Sequence, residues 1–294
     1  MPRTFLAYPG YDELTRNLAA TLDGEIVPIE FRNFPDGEIY LRVAGSVAGK
    51  DAIIACSLDR PNEKTVGLFL LASTLRELGA RRVVAVAPYL GYMRQDRAFH
   101  EGEGVSARYF ARFLSSFLDG LVTVDPHLHR IHKLEEVYSI PTHVAAAAPA
   151  ISTWVQKNVD APFLIGPDSE SEQWVSEVAR GAGCPFIVLE KKRFGDRNVE
   201  VSVPDAGRLQ GRTPVLIDDI ISTARTMIAA TVHLAKAGLQ PPVCVGVHAI
   251  FAGNSYRELA AAGVTRIVTC NTIPHPTNVI DVHQLIAQRL TELI

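Results

Sequence analysis

Short apolar runs alternate with amphipathic stretches along most of the chain. Residues 51–57 (DAIIACS), 82–87 (RVVAVA) and 120–124 (GLVTV) are continuous apolar runs of strand length, the pattern of strands buried on both faces. Between the first two, Leu68, Leu71, Leu75 and Leu78 recur at helical spacing, which predicts a helix opened by Asn62 and stopped by Gly79. Residues 106–118 give a second predicted helix. The alternation then starts again. Residues 163–166, 185–189, 215–217, 243–248 and 266–270 read as strands, with helices at about 170–180, 223–237 and 254–262. Such alternation predicts an α/β fold with mostly parallel sheets covered by helices on both faces. The small-residue stretch 143–150 (HVAAAAPA) is the natural boundary. It divides the chain into residues 1–142 and 143–294, two halves of similar size that suggest an old duplication.

Composition narrows the function classes. A hydrophobic share of 47% with 21% charged residues is that of a folded globular chain, and 294 residues suffice for two medium domains. The net charge is −3, which argues against a duplex-DNA or polybasic membrane binder, so neither nucleic acid nor membrane is an expected partner. Residues 1–11 show no long apolar run behind a basic start, so no signal peptide is expected. Cys56, Cys184, Cys244 and Cys270 form no CxxC pair, which fits a reduced, cytoplasmic setting with the thiols as small apolar side chains.

In open α/β sheets, ligands bind past the carboxyl ends of the strands, and the polar residues of this chain gather there. Residues 215–227 read VLIDDIISTARTM. Asp218 and Asp219 at a strand end suit ribose hydroxyls or a metal. Ser222, Thr223, Ala224, Arg225 and Thr226 form a turn opening a helix, where hydroxyls and backbone N–H groups can hold a phosphate. The plainer alternative is an acidic strand end followed by an ordinary Ser/Thr helix cap. Residues 34–38 (FPDGE) have turn chemistry. Residues 88–97 (PYLGYMRQDR) follow a strand, and Arg94 and Arg97 suit phosphates or, for Arg94, stacking on a base; a solvated charged loop is the alternative. Residues 124–127 (VDPH) lead into His129 and His132, too loose a spacing for a zinc site. Residues 166–172 (GPDSESE) suit an acidic helix start. Residues 190–193 (EKKR) would ordinarily be a solvated loop.

Residues 215–227 resemble the phosphoribosyl pyrophosphate (PRPP) motif of type I phosphoribosyltransferases and PRPP synthases. With the other segments in order, the chain as a whole is similar to the ribose-phosphate pyrophosphokinase (PRPP synthase) family. That resemblance implies two type I phosphoribosyltransferase-like domains, each a mostly parallel sheet flanked by helices. The first would carry the ATP loops, and the second the ribose 5-phosphate site and a catalytic flap. It implies that Phe34, Asp36, Gly37, Glu38, Arg94, Gln95 and Asp96 bind ATP, with Phe34 and Arg94 flanking the base. Mg²⁺ would be associated with His127, supported by Asp125, and with Asp168; Lys191 and Arg193 would be catalytic. Asp218, Asp219, Ser222, Thr223, Ala224, Arg225 and Thr226 would bind ribose 5-phosphate. The implied reaction transfers the diphosphoryl group of ATP to the C1 hydroxyl of ribose 5-phosphate, in a homo-oligomer of at least two chains.

Two departures from the family pattern stand out. Arg225 stands where the family has Gly, whereas Ser222 matches the archaeal type. Residues 98–105 (AFHEGEGV) are acidic where many bacterial members carry a basic regulatory loop, which implies weak or absent activation by phosphate. The rival readings are a phosphoribosyltransferase, which would have a base-binding hood in place of the ATP loops, and a non-catalytic regulatory paralogue.

Overall fold

The computed structural model describes residues 1–294 except 129, 168–170, 195–197 and 203–205, with residues 190–194, 198–202, 206 and 208 described in backbone alone. The chain divides into two compact units, Met1–Ala146 with His283–Ile294, and Ala147–Val282.

The first unit runs β1 (Arg3–Ala7), α1 (Asp12–Thr21), β2 (Glu25–Ile26), β3 (Ile29–Asn33), β4 (Ile39–Val43), β5 (Asp51–Ala55), α2 (Pro61–Glu77), β6 (Arg82–Val86), α3 (Ser106–Ser115), β7 (Gly120–Val124) and β8 (Thr142–Ala145). Its sheet has the order β2-β1-β5-β6-β7-β8, and every pairing in it is parallel. Strands β5 and β7 are buried at every position, as their unbroken apolar runs predict. Leu68, Leu71 and Leu75 of α2 are fully buried with Ile53, Ile54 and Leu114, so three of the four leucines at helical spacing lie in the core, whereas Leu78, just past the helix end, is exposed. Helix α2 opens on Pro61 with Arg60 at its cap, not on Asn62. The ring of Pro61 presets φ for a first helical turn and sacrifices an N–H that has no partner there.

The second unit runs α4 (Ala148–Asn158), β9 (Pro162–Gly166), α5 (Glu172–Ala182), β10 (Phe186–Val188), β11 (Glu190–Phe194), β12 (Asn198–Ser202), β13 (Thr213–Ile221), α6 (Arg225–Lys236), β14 (Val243–Ala249), α7 (Ser255–Ala261), β15 (Arg266–Cys270) and β16 (Asn278–Ile280). Its parallel sheet has the order β10-β9-β13-β14-β15-β16. Phe163, Ile165 and Leu216 of the sheet pack with Met227, Ala230 and Leu234 of α6.

The two sheets share one plan. In each, the first strand lies between an edge strand and four successive strands, and an antiparallel hairpin, β3–β4 or β11–β12, is inserted before the third sheet strand. Two halves with no obvious sequence identity thus share one topology. The division differs from residues 1–142 and 143–294 at the far end, because helix α8 (His283–Leu293) belongs to the first unit. It packs on α1, β7 and β8 through an apolar stripe that includes buried Ile286, Ala287 and Leu290, and Arg82 Nη1 donates to the Leu293 carbonyl at 3.1 Å.

Candidate active site

In the second unit, β13 continues through Asp218 and Asp219 to Ile221, four residues beyond the predicted end. Adjacent strand positions project to opposite faces. Asp218 lines a small recess with Ile165, Leu189, Leu216, Ile217, Thr226 and Met227, and Asp219 is absent from that lining. The Asp219 N–H donates to Asp218 Oδ1 at 2.9 Å, which orients that carboxylate. Beyond the strand, the Ser222 carbonyl accepts from the Ala252 N–H at 3.1 Å and the Ser255 hydroxyl at 2.7 Å, so the loop is anchored on the segment after β14.

Ala224 then takes a left-handed conformation, φ +55°, and α6 begins at Arg225 with no side-chain cap. The N-cap position thus falls on Ala224, not on Ser222 or Thr223 as the plainer reading of this turn has it. A left-handed turn opening an uncapped helix offers backbone N–H groups and a positive helix end to an anion. Arg225 is helical and exposed. The left-handed position is Ala224, so the place where the family has Gly requires no glycine conformation here.

In the first unit, residues 34–38 are the tip of the β3–β4 hairpin and all are exposed. The Phe34 N–H donates to the Glu38 carbonyl at 2.7 Å, Gly37 turns the chain at φ +94°, and the Glu38 N–H donates to Asp36 Oδ1 at 3.2 Å. Arg32, which sequence reasoning missed, lies over the rings of Phe34 and Tyr40 at 4.8 and 4.3 Å. Its signal was the i, i+2 spacing that puts Arg32 and Phe34 on one face of a strand. The 39% exposed Phe34 ring is thus held in place while open to solvent.

The segment after β6 brings only part of its predicted set to the surface. Arg94 and Arg97 are exposed. Gln95 instead secures the start of α3: its carbonyl accepts from the Ala107 N–H at 3.2 Å and its Oε1 from the Ser106 hydroxyl at 3.3 Å. Asp96 is buried and accepts from the Arg130 N–H at 3.1 Å and from Arg130 Nη1 at 3.3 Å. A carboxylate taken out of water needs such donors, and Arg130 supplies them to Asp96. Arg130 was the second residue missed, hidden in a histidine-rich stretch.

After β7, Asp125 stands at φ +31°, strained for a residue with a side chain, and its N–H donates to the Ala145 carbonyl at 3.1 Å. His127 follows, half-buried. Among the described residues no three His, Cys, Asp or Glu side chains gather to hold a metal ion. Asp168 lies outside the described residues. Lys191 and Arg193 lie in β11, strand residues paired in register with Val201 and Val199 of β12. Cys56, Cys244 and Cys270 are buried and Cys184 partly so; all four are free thiols. No helix among the described residues is long and apolar enough to cross a membrane.

The family model for the N-terminal domain of ribose phosphate pyrophosphokinase matches residues 5–117, and that for the phosphoribosyl transferase domain matches residues 133–286. The ribose-phosphate pyrophosphokinase of Sulfolobus acidocaldarius is 33% identical over 94% of this chain and 96% of its own. That of Methanopyrus kandleri is 34% identical over 96% of each chain. The chain belongs to the ribose-phosphate pyrophosphokinase family. Both relatives are archaeal, in line with the archaeal-type Ser222. The fold agrees with that of a ribose-phosphate pyrophosphokinase under its other name: the phosphoribosylpyrophosphate synthetase of Mycobacterium smegmatis superposes with a TM-score of 0.85 over 99% of this chain and 98% of its own, at 24% identity. Both units are thus phosphoribosyltransferase-like domains.

Proposed function

We propose that this chain transfers the diphosphoryl group of ATP to the C1 hydroxyl of ribose 5-phosphate, forming PRPP and releasing AMP. The observation that carries this reading is the anchored, uncapped start of α6, with left-handed Ala224 ahead of it and Asp218 at the strand behind it. This is a phosphate cradle beside a carboxylate suited to sugar hydroxyls. Ser222, Thr223, Ala224, Arg225 and Thr226 hold the 5-phosphate, and Asp218 with Asp219 holds the ribose hydroxyls. The exposed Phe34 and Arg94 flank the adenine, while Asp36, Gly37 and Glu38 take its polar neighbours. Gln95 and Asp96 fix the backbone that presents Arg94. A phosphoribosyltransferase would have no use for that nucleotide apparatus.

The C1 hydroxyl attacks the β-phosphorus, the bond from that phosphorus to the bridging oxygen of AMP breaks, and the hydroxyl proton is lost. Lys191 and Arg193, carried on the β11–β12 hairpin, stabilise the charge that develops on the transferred group and the leaving oxygen. The cofactor we propose is Mg²⁺. His127 and Asp168 would be the protein's share of its ligands, and the triphosphate and water would supply the remaining oxygens. When bound, the ion neutralises phosphate charge. The protein is proposed to act in the cytoplasm as a homo-oligomer, since in the family the hairpin of a neighbouring subunit completes the adenine site.

The test is AMP release with ATP, Mg²⁺ and ribose 5-phosphate, with and without inorganic phosphate. The expected result is AMP formation that requires the sugar phosphate, yields PRPP as co-product and proceeds without added phosphate. Nucleotide binding with no AMP formed overturns the reading.

A further inference from the structure

Helix α2 follows β5 as α6 follows β13, so the loop at residues 56–60 is the first unit's counterpart of the phosphate cradle. It is built to opposite effect. Its helix opens on Pro61, which removes a backbone donor, and Lys64 in the first turn folds back over the loop. The Lys64 ammonium donates to the Ser57 carbonyl and the Tyr11 hydroxyl, each at 3.0 Å, and forms a close ion pair with Asp59. The Tyr11 hydroxyl in turn donates to Asp59 at 2.9 Å. Both charged side chains are only 16% exposed. Where the second unit leaves donors for an anion, the first unit fills the place with its own cation and carboxylate.

The same loop is the bed of the nucleotide segment. The Ser57 hydroxyl accepts from the Tyr89 N–H at 2.8 Å, and the Leu58 N–H donates to the Tyr89 carbonyl at 2.8 Å. Gly91 lies so close that a Cβ there would stand 2.7 Å from the Leu58 carbonyl, and the Tyr92 hydroxyl bonds Asn62 at the start of α2. We infer that Lys64 is a positioning residue for nucleotide binding: it latches residues 57–59, and that loop sets the path of residues 88–97 and hence the place of Arg94. This rests on the reading of Arg94 as a nucleotide contact.

The test uses the Asp59→Asn/Lys64→Met double variant, which leaves no uncompensated charge, beside Lys64→Arg and Arg94→Ala. Hydrogen exchange on the full chain reads the latch without reference to activity. The expected result in the double variant is faster exchange in peptides covering residues 56–62 and 88–93, with β7 and the second unit unchanged. KM for ATP should rise about tenfold or more, the scale of a misplaced binding group. The kcat and the KM for ribose 5-phosphate should stay within about twofold, and Lys64→Arg should keep most of the wild-type KM. Unchanged exchange overturns the latch. Faster exchange with a raised KM for ATP in Arg94→Ala alone overturns the link to nucleotide binding. If Arg94→Ala itself leaves KM for ATP unchanged, the nucleotide reading of the segment fails and the positioning role falls with it.

Discussion

Asp96 and Arg130 are joined twice, through the Arg130 backbone N–H at 3.1 Å and its guanidinium at 3.3 Å. The pair ties the segment after β6, which bears Arg94, to the segment after β7, which bears His127. The segments that carry the residues predicted to touch the base and the metal are therefore joined through one buried carboxylate. Arg130 is partly exposed, which limits the pair to about 1–2 kcal/mol. Asp96→Ala should raise KM for ATP about tenfold while lowering the melting temperature by only a few degrees. A variant with unchanged KM for ATP and the same small loss of stability would make the pair a purely structural one.

Asp51 gives the first unit a source of acid sensitivity. Its carboxylate is 1% exposed and accepts from Arg81 and Arg82, each at 2.6 Å. Burial alone works to raise its pKa, but the hydrogen bonds and charges of Arg82 and Arg81 outweigh it and hold the group below the usual carboxylate range. A carboxylate lowered by folding contributes stability that is complete above its unfolded value, near 4, and is lost as pH falls through the folded one. Asp51→Asn should cost about 2–3 kcal/mol at pH 7, less than a fully buried pair because both guanidinium groups are 35% exposed. Chemical denaturation from about pH 6 to pH 2 should show a shallower acid-side loss in the variant than in the wild type. Parallel curves would remove Asp51 as a source.

The sheet strands rich in Val, Ile and Leu and the leucine stripe of α2 were legible because burial on both faces leaves unbroken apolar runs. The two hairpins were not. The β3–β4 pair (IEFRN and IYLRV) has mostly exposed or half-exposed positions, and its alternation is diluted by charge. The β11 segment EKKRF reads as a charged loop until a partner strand is found for it. Helix α8 has an ordinary apolar stripe, but no local signal says that it returns to the first unit. The turn after β13 was legible as a motif, whereas its conformation was not, because the left-handed position falls on Ala224, a residue with no visible preference for it. The inward roles of Gln95 and Asp96 depend on Ser106 and Arg130, partners distant in sequence.

Lys191 is the sharpest test of the chemical assignment. It sits in the five-residue strand β11, paired with Val201, on a hairpin inserted where the first unit carries the β3–β4 hairpin. An ammonium that meets the transferred diphosphoryl group only as charge develops should act on kcat. Lys191→Ala should lower kcat by about 10²–10³-fold or more, the scale for losing one preorganised donor, with ATP affinity changed much less. Equilibrium binding of ATP alongside steady-state kinetics separates the two effects, and a near-normal kcat would remove Lys191 from the mechanism.

Arg225 tests whether the altered phosphate loop is a defect or an adaptation. The departure from Gly imposes no backbone strain, because Arg225 is the first residue of α6 and the left-handed conformation belongs to Ala224. Its exposed guanidinium adds a cation at a helix end already suited to an anion, with the fork geometry that matches phosphate. Arg225→Gly should therefore raise KM for ribose 5-phosphate about tenfold, leave kcat within about twofold and flatten the salt dependence of KM. Ala224→Gly should instead leave stability within about 1 kcal/mol, since relief of its left-handed backbone is offset by the loss of a methyl buried in the second unit's core. If Arg225→Gly binds the sugar phosphate as well as or better than the wild type, the arginine does not contact the 5-phosphate, and the backbone cradle with Ser222, Thr223 and Thr226 must hold it unaided.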